Sequence, residues 1–176
     1  DKRLGLYVRC VRSATPEIPT KFRLHAYSIF GNQQNDDHWM GWTTGNPWAN
    51  ILTDANARNS NIMNIKKVVA DDVADIVYLQ VENYPGSEPH YLTVDPSDGN
   101  KIKIVKGKSL WAKFRIKPSL QTETPDSDYV SFEAVEKPNF YLRHEGFKMY
   151  LHEATRQNLA NKVYIEDASW LFQKLP

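Results

Sequence analysis

VYLQVENYPGSEPHYLTVDPSDGNKIKIVKGKSLWAKFRIKP, Val77 to Pro118, can be laid over VSFEAVEKPNFYLRHEGFKMYLHEATRQNLANKVYIEDASWLFQKLP, Val130 to Pro176. Both stretches open on a run of alternating apolar residues, pass a proline turn, continue with Tyr-Leu and close on an aromatic-rich run. Alternation with period two places successive side chains on opposite faces and marks a half-buried strand. IVYLQVENY, NKIKIVKGK, KFRIKP, YVSFEAVE and KVYIED all follow it, as does LGLYVRCVR near the start. Tyr84-Pro85-Gly86, Asp98-Gly99-Asn100, Lys106-Gly107-Lys108 and Lys137-Pro138-Asn139 supply turns between them. HEATRQNLANK is polar on most sides and too short for a self-standing helix, so a turn or one helical turn is expected there.

Two copies of a strand pattern separated by the polar, proline-bearing QTETPDSD imply a third. The first part of the chain would supply it, with Leu6–Arg12 as opening strand, KFRLHAYSI as the second and Asn61–Val69 as the closing one. Three units that cannot each bury an inner face alone pack around a pseudo-threefold axis. The expected fold is therefore an all-β β-trefoil of three four-stranded repeats, about 4–70, 76–120 and 128–176, in one domain spanning 1–176. An open β-sandwich from the same strands is the alternative. The Asn-, Asp-, Gly- and Trp-rich stretch at about 30–60 reads as a long surface insertion in the first repeat.

Composition narrows the function classes. The chain has 176 residues, 41% hydrophobic and 24% charged, which suits one folded domain with its own core. A net charge of +1 provides no global field for nucleic acid, and no apolar run approaches the length that spans a bilayer. The single Cys10 excludes an internal disulfide framework and a cysteine-ligated zinc site. Catalytic and cofactor motifs are poor: His152-Glu153-Ala154-Thr155-Arg156 starts like a zinc-protease helix but has Arg156 at the second histidine position. We expect no enzyme, no cofactor and no metal.

YVSFEAVEKPNFYLRH, followed by a strand, a short polar loop and IEDASWLF, resembles the repeat of the arabinofuranose-binding β-trefoil of family B arabinofuranosidases. That repeat runs through a Tyr-Leu-Arg-His block and an Asp-Ala-Thr-Phe block, and the family holds a furanose side chain between the His of one and the Asp of the other. The resemblance implies His144 and Asp167 as ligand-binding residues, with Tyr141 beside them. A carboxylate can accept two sugar hydroxyls and an imidazole can donate or accept one. In the second repeat Val94 stands at the His position and Ser109 at the Asp position, so its pocket is expected to be silent. The first has His25 but no alignable Asp. The bland alternative is a structural pair in which the carboxylate merely orients the ring. The implied partners are a glycan or glycoprotein and other domains of a larger protein. The resemblance favours an extracellular setting, while composition leaves a cytoplasmic one open.

Two further surfaces carry a competing reading, a degenerate trefoil serving as a protein- or anionic-glycan-interaction domain. Lys101, Lys103, Lys106 and Lys108 begin a stretch that continues through Lys113, Arg115 and Lys117 without an acidic residue. It concentrates positive charge, or simply solvates an outer strand face. Trp39, Trp42 and Trp48 lie in DDHWMGWTTGNPW, where they would stack on a sugar or a partner, or fold back as a plug against the barrel.

Overall fold

The computed structural model describes residues 17–29, 32–33, 38–53, 61–121 and 129–176. Its strands are β1 (Lys21–Ala26), β2 (Ser28–Ile29), β3 (Asn32–Gln33), β4 (His38–Thr43), β5 (Asn46–Thr53), β6 (Ile65–Ala70) and β7 (Val73–Val81). They are followed by β8 (His90–Asp95), β9 (Lys101–Lys106), β10 (Lys113–Pro118), β11 (Tyr129–Ala134), β12 (Phe140–Glu145), β13 (Lys148–Glu153) and β14 (Trp170–Lys174). Two short helices, α1 (Arg156–Leu159) and α2 (Lys162–Asp167), lie between β13 and β14. The architecture is all-β.

Six strands close on themselves through antiparallel ladders: β1 pairs β6, β6 pairs β7, β7 pairs β10, β10 pairs β11, β11 pairs β14, and β14 returns to β1. A closed ring rules out the open sandwich. Three hairpins, β4–β5, β8–β9 and β12–β13, complete the sheet. They also touch one another, through Lys148 opposite Asn50, Tyr150 opposite Lys101 and Trp48 opposite Lys103. Alternation explains the core. Phe22, Leu24, Phe114, Ile116, Val130, Phe132, Leu142 and Leu151 point inward, and all are buried. Trp170 closes the same core with no exposed surface.

Three expectations need correction. Residues 38–53 are not an insertion: they form the β4–β5 hairpin, whose Thr44-Gly45 turn has Gly45 at φ +78 and whose β5 joins the other two hairpins. Their polar and aromatic composition hides a burial pattern that follows the pleat only in part. KVYIED is helical, not a strand; over six residues a period of two cannot be told from a short helix. The side chain of Asn161 caps it by accepting the N–H of Val163 at 3.0 Å. β1, expected as a second strand, is a ring strand between β14 and β6. The proposed opening strand Leu6–Arg12, with Cys10, lies outside the described residues.

Candidate saccharide site

β12 and α2 meet beside the closing strand, and each supplies one half of a polar cup. Val163 and Asp167 are four residues apart, so α2 presents them on one face. Across from them β12 carries Arg143, His144 and Glu145, and the turn after it carries Gly146 and Phe147. These seven residues line a cavity of about 170 Å³. Its floor is the pair predicted from the sequence: His144 Nε2 lies 3.4 Å from Asp167 Oδ1, with the residues 4% and 5% exposed. The imidazole edge rests on the indole of Trp170, ring centroids 5.8 Å apart, which fixes its plane.

Arg143, which sequence reasoning did not single out, holds the carboxylate from the other side. Its Nη2 donates to Asp167 Oδ2 at 2.7 Å, and Glu145 Oε1 lies 3.7 Å from the same nitrogen. The guanidinium sits over the Tyr164 ring, 5.1 Å from its centre, and its Nη1 lies 3.3 Å from His152 Nδ1. Since guanidinium can only donate, that imidazole nitrogen accepts. Burial first, then the guanidinium, holds His152 below its ordinary pKa, which keeps it in the accepting form. Burial pushes the Tyr164 hydroxyl up to about 12, and it donates to the His152 carbonyl at 3.0 Å. Asp167 is pushed up to about 6 by burial, against the downward pull of Arg143 and with help from Glu145 and Glu166. Its carboxylate therefore titrates close to neutrality, with one oxygen anchored and the other beside His144.

The rim is apolar. Phe147 and Val163 are 39% and 44% exposed. Gly146 and Phe147 form the two-residue turn between the paired Glu145 and Lys148, with φ of +55 and +63. This is the primed geometry that suits a hairpin's twist, and it normally takes Gly, Asn or Asp at both central positions. The other non-glycine residues with positive φ are Asp71, Asp72, Asn100 and Asn139, the types that tolerate it; Phe147 is the exception among the described residues. Such strain costs about 1 kcal/mol or more and tends to persist where a side chain has a task. Phe147→Gly should therefore raise the unfolding free energy by about 1 kcal/mol while weakening any ligand held in the cup. Paired urea melts and titrations would show the two moving in opposite directions.

Tyr141 is not brought to this cavity. It stands two residues back along β12 from Arg143, roughly 7 Å, opposite Glu133 and His152 on the neighbouring strands. Phe147 is the aromatic residue at the rim instead. The neighbouring hairpin, β8–β9, lacks the imidazole of the cup. Val94 is core, and the strand pairing places Phe114 opposite Val77 as Trp170 is opposite Val130. Trp111, three residues before Phe114, therefore takes the place of Asp167, not Ser109. His25 is a buried ring-strand residue against Trp39, 4.7 Å between ring centres.

The basic stretch loses its isolation in the folded chain. Lys101 meets Asp98 at 3.0 Å, Lys103 meets Asp95 at 2.7 Å and Lys106 meets Glu88 at 3.8 Å, while Lys108 lies over the Tyr78 ring. Lys113, Arg115 and Lys117 face Asp71, Asp75 and Glu133. The hydrogen bond from Lys103, then that from Ser97, holds Asp95 down at about 2. The three tryptophans go to three places: Trp39 against His25, Trp42 buried against Tyr84, and Trp48 half-buried beneath Lys101. Among the described residues no cluster of His, Cys, Asp and Glu could hold a metal ion.

The model of the alpha-L-arabinofuranosidase B (ABFB) domain family matches residues 79–174, more than half of the chain. The chain belongs to that family. The match covers both hairpins that carry the Tyr-Leu blocks, together with α2 and the cup, and it supports a carbohydrate-binding role for this ABFB domain. Among solved structures it is similar to a GH54 α-L-arabinofuranosidase soaked with a cyclic sulfate inhibitor, at 13% identity and TM-score 0.67 over 92% of this chain and 32% of that one. The BEL β-trefoil matches at 12% identity and TM-score 0.63 over 92% and 99%. SeviL bound to asialo-GM1 saccharide matches at 12% identity and TM-score 0.58 over 90% and 100%. At such identities the likeness shows the fold, that of the β-trefoil lectins. The ABFB domain spans about a third of the length of the arabinofuranosidase chain it resembles. A search of curated protein sequences gave no match.

Proposed function

We propose that this ABFB domain is a non-catalytic module that binds a furanose side chain of a glycan in the cup formed by His144, Asp167 and Arg143, with Phe147 at its rim. The observation that carries the reading is the meeting of imidazole and carboxylate at 3.4 Å on the floor of an open cavity. Asp167 accepts a sugar hydroxyl through the oxygen that Arg143 does not hold, His144 bonds an adjacent hydroxyl, and Phe147 covers an apolar edge of the ring. A cavity of about 170 Å³ suits a single small ring better than an oligosaccharide. The ring-and-hairpin pairing supports three four-stranded units in one domain, with this cup in the third. Such a module would hold a larger protein near its glycan, with weak single-site affinity because little surface is buried.

Titration with methyl α-L-arabinofuranoside against methyl β-D-xylopyranoside tests the assignment. The furanoside should bind and perturb the Phe147 and His144 signals, and equal responses to both sugars would defeat the furanose preference. The pH dependence has a definite sign. With a pKa of about 6, only about a tenth of Asp167 is ionised at pH 5, so the furanoside Kd should rise roughly tenfold between pH 7.5 and pH 5. The share of stability that depends on Asp167 moves the other way, and His152, held below its ordinary pKa, opposes it. The Asp167 pKa is raised above the ordinary 3.8, so this group's contribution is fully present below about 4 and is lost as pH rises through about 6. Urea melts and binding titrations across the same buffers would separate the two trends.

A further inference from the structure

A second cavity, of about 150 Å³, lies where β5, β9 and β13 converge, and shares no lining residue with the cup. Its floor is apolar, made of the buried Ala49, Ile102 and Met149. Around the floor stand Trp48, Asn46, Asn50, Lys101 and Lys148, and no carboxylate enters the lining. Trp48 is fixed from both sides: Asn46 Oδ1 accepts its backbone N–H at 3.0 Å and Asn50 Nδ2 donates to its carbonyl at 2.9 Å. Lys101 Nζ lies 5.3 Å from the centre of the indole and is paired with both carboxylate oxygens of Asp98 at 3.0 Å. Lys148 is different from the bases of the paired stretch, since it is exposed and no salt bridge is formed by it among the described residues.

From this geometry we infer that the hairpin junction is a separate binding site for an acidic sugar unit, a hexuronate at the end of or within a glycan. The volume admits one ring and little more. A pyranose presents an apolar C–H face, which the indole and the Ile102–Met149 floor receive, while its hydroxyls meet the two carboxamides. The hexuronate carboxylate lies against Lys148, which forms no salt bridge among the described residues although Glu145 stands opposite it in the ladder. Lysine suits this task because a single carboxylate on a mobile ring needs a point charge rather than a planar fork. A neutral sugar would leave the ammonium without its partner, and a small carboxylate would leave the floor wet. The site uses none of the groups that form the His144–Asp167 cup.

The test is an NMR titration of the ¹⁵N-labelled chain at low salt, following the Trp48 indole N–H and the Asn46 and Asn50 side-chain amides. The probes are methyl β-D-glucuronide, methyl β-D-glucoside and acetate. The glucuronide should shift all three signals with a Kd at least tenfold below those of the other two probes, and Lys148→Gln should raise that Kd at least fivefold with an unchanged thermal melt. Asp167→Asn should leave it unaltered. Absence of shifts with glucuronide, equal shifts with glucoside or acetate, or indifference to Lys148→Gln would each overturn the inference. Arabinofuranoside supplies the control arm: its failure with glucuronide still bound counts against the cup alone, and the reverse result counts against the junction alone.

Discussion

Trp170→Ala is expected to destabilise the domain by about 4 kcal/mol, the usual range for emptying a buried aromatic site, and to lower its melting temperature by roughly 8–16 °C for a chain of this size. The indole is fully buried, its Nε1 donates to the Leu142 carbonyl at 3.1 Å, and its strand pairs with β1 on one side and β11 on the other. Removing it leaves a void at the point where the ring of strands closes. It also strips the imidazole of His144 of the surface that fixes its plane. Phe172 on the same strand is only partly buried and packs edge-on against Phe22, 5.0 Å between ring centres, so Phe172→Ala should cost clearly less. Chemical denaturation of both variants checks the ranking, and a loss below 1 kcal/mol for Trp170→Ala would place the keystone of the core elsewhere.

Asp167→Asn should weaken furanoside binding by about 2 kcal/mol, roughly thirtyfold in Kd, the worth of a hydrogen bond to a charged acceptor. The amide keeps the size of the side chain, but one of the two positions facing Arg143 and His144 now bears a donor. Asp167→Ala is a poorer probe. It leaves the guanidinium of Arg143 in a nearly closed space with Glu145 3.7 Å away as its nearest acid, and breaking a buried pair from one side carries a heavy penalty. Binding and melting measured together on the amide variant separate the roles. A fall in stability with unchanged affinity would make the pair an orienting bond within the fold and nothing more.

How far these features could be read in advance depends on the distance over which their causes act. Local alternation disclosed β7, β9, β10 and β11 because the pleat is written in neighbouring residues. The His144–Asp167 pair was visible only through a family pattern, since nothing in the 22 residues of intervening chain states that β12 and α2 will touch. The hold of Arg143 on Asp167 could have been suspected from the same block, but a guanidinium beside a histidine reads equally well as solvated charge. The basic stretch misled for a related reason. Asp71, in the β6–β7 turn, and Glu133, on β11, face Lys113 and Lys117 from elsewhere in the chain, so a window along the sequence counted the bases without their partners. Phe147 gives no sign in sequence of its positive φ, because Glu-Gly-Phe-Lys looks like an ordinary glycine turn until the backbone is seen. The β4–β5 hairpin was obscured by its Asn, Gly and Trp content, which resembles loop chemistry even where every residue from 38 to 43 is in a ladder.

The closed ring of β1, β6, β7, β10, β11 and β14 has a consequence for how copies of the domain behave when crowded. Each of these strands is flanked on both sides, so the barrel offers no ragged border of amides onto which a neighbour could zip. Copies held close together would meet as distinct bodies at the ring, free of the edge-to-edge pairing that unpaired strands invite.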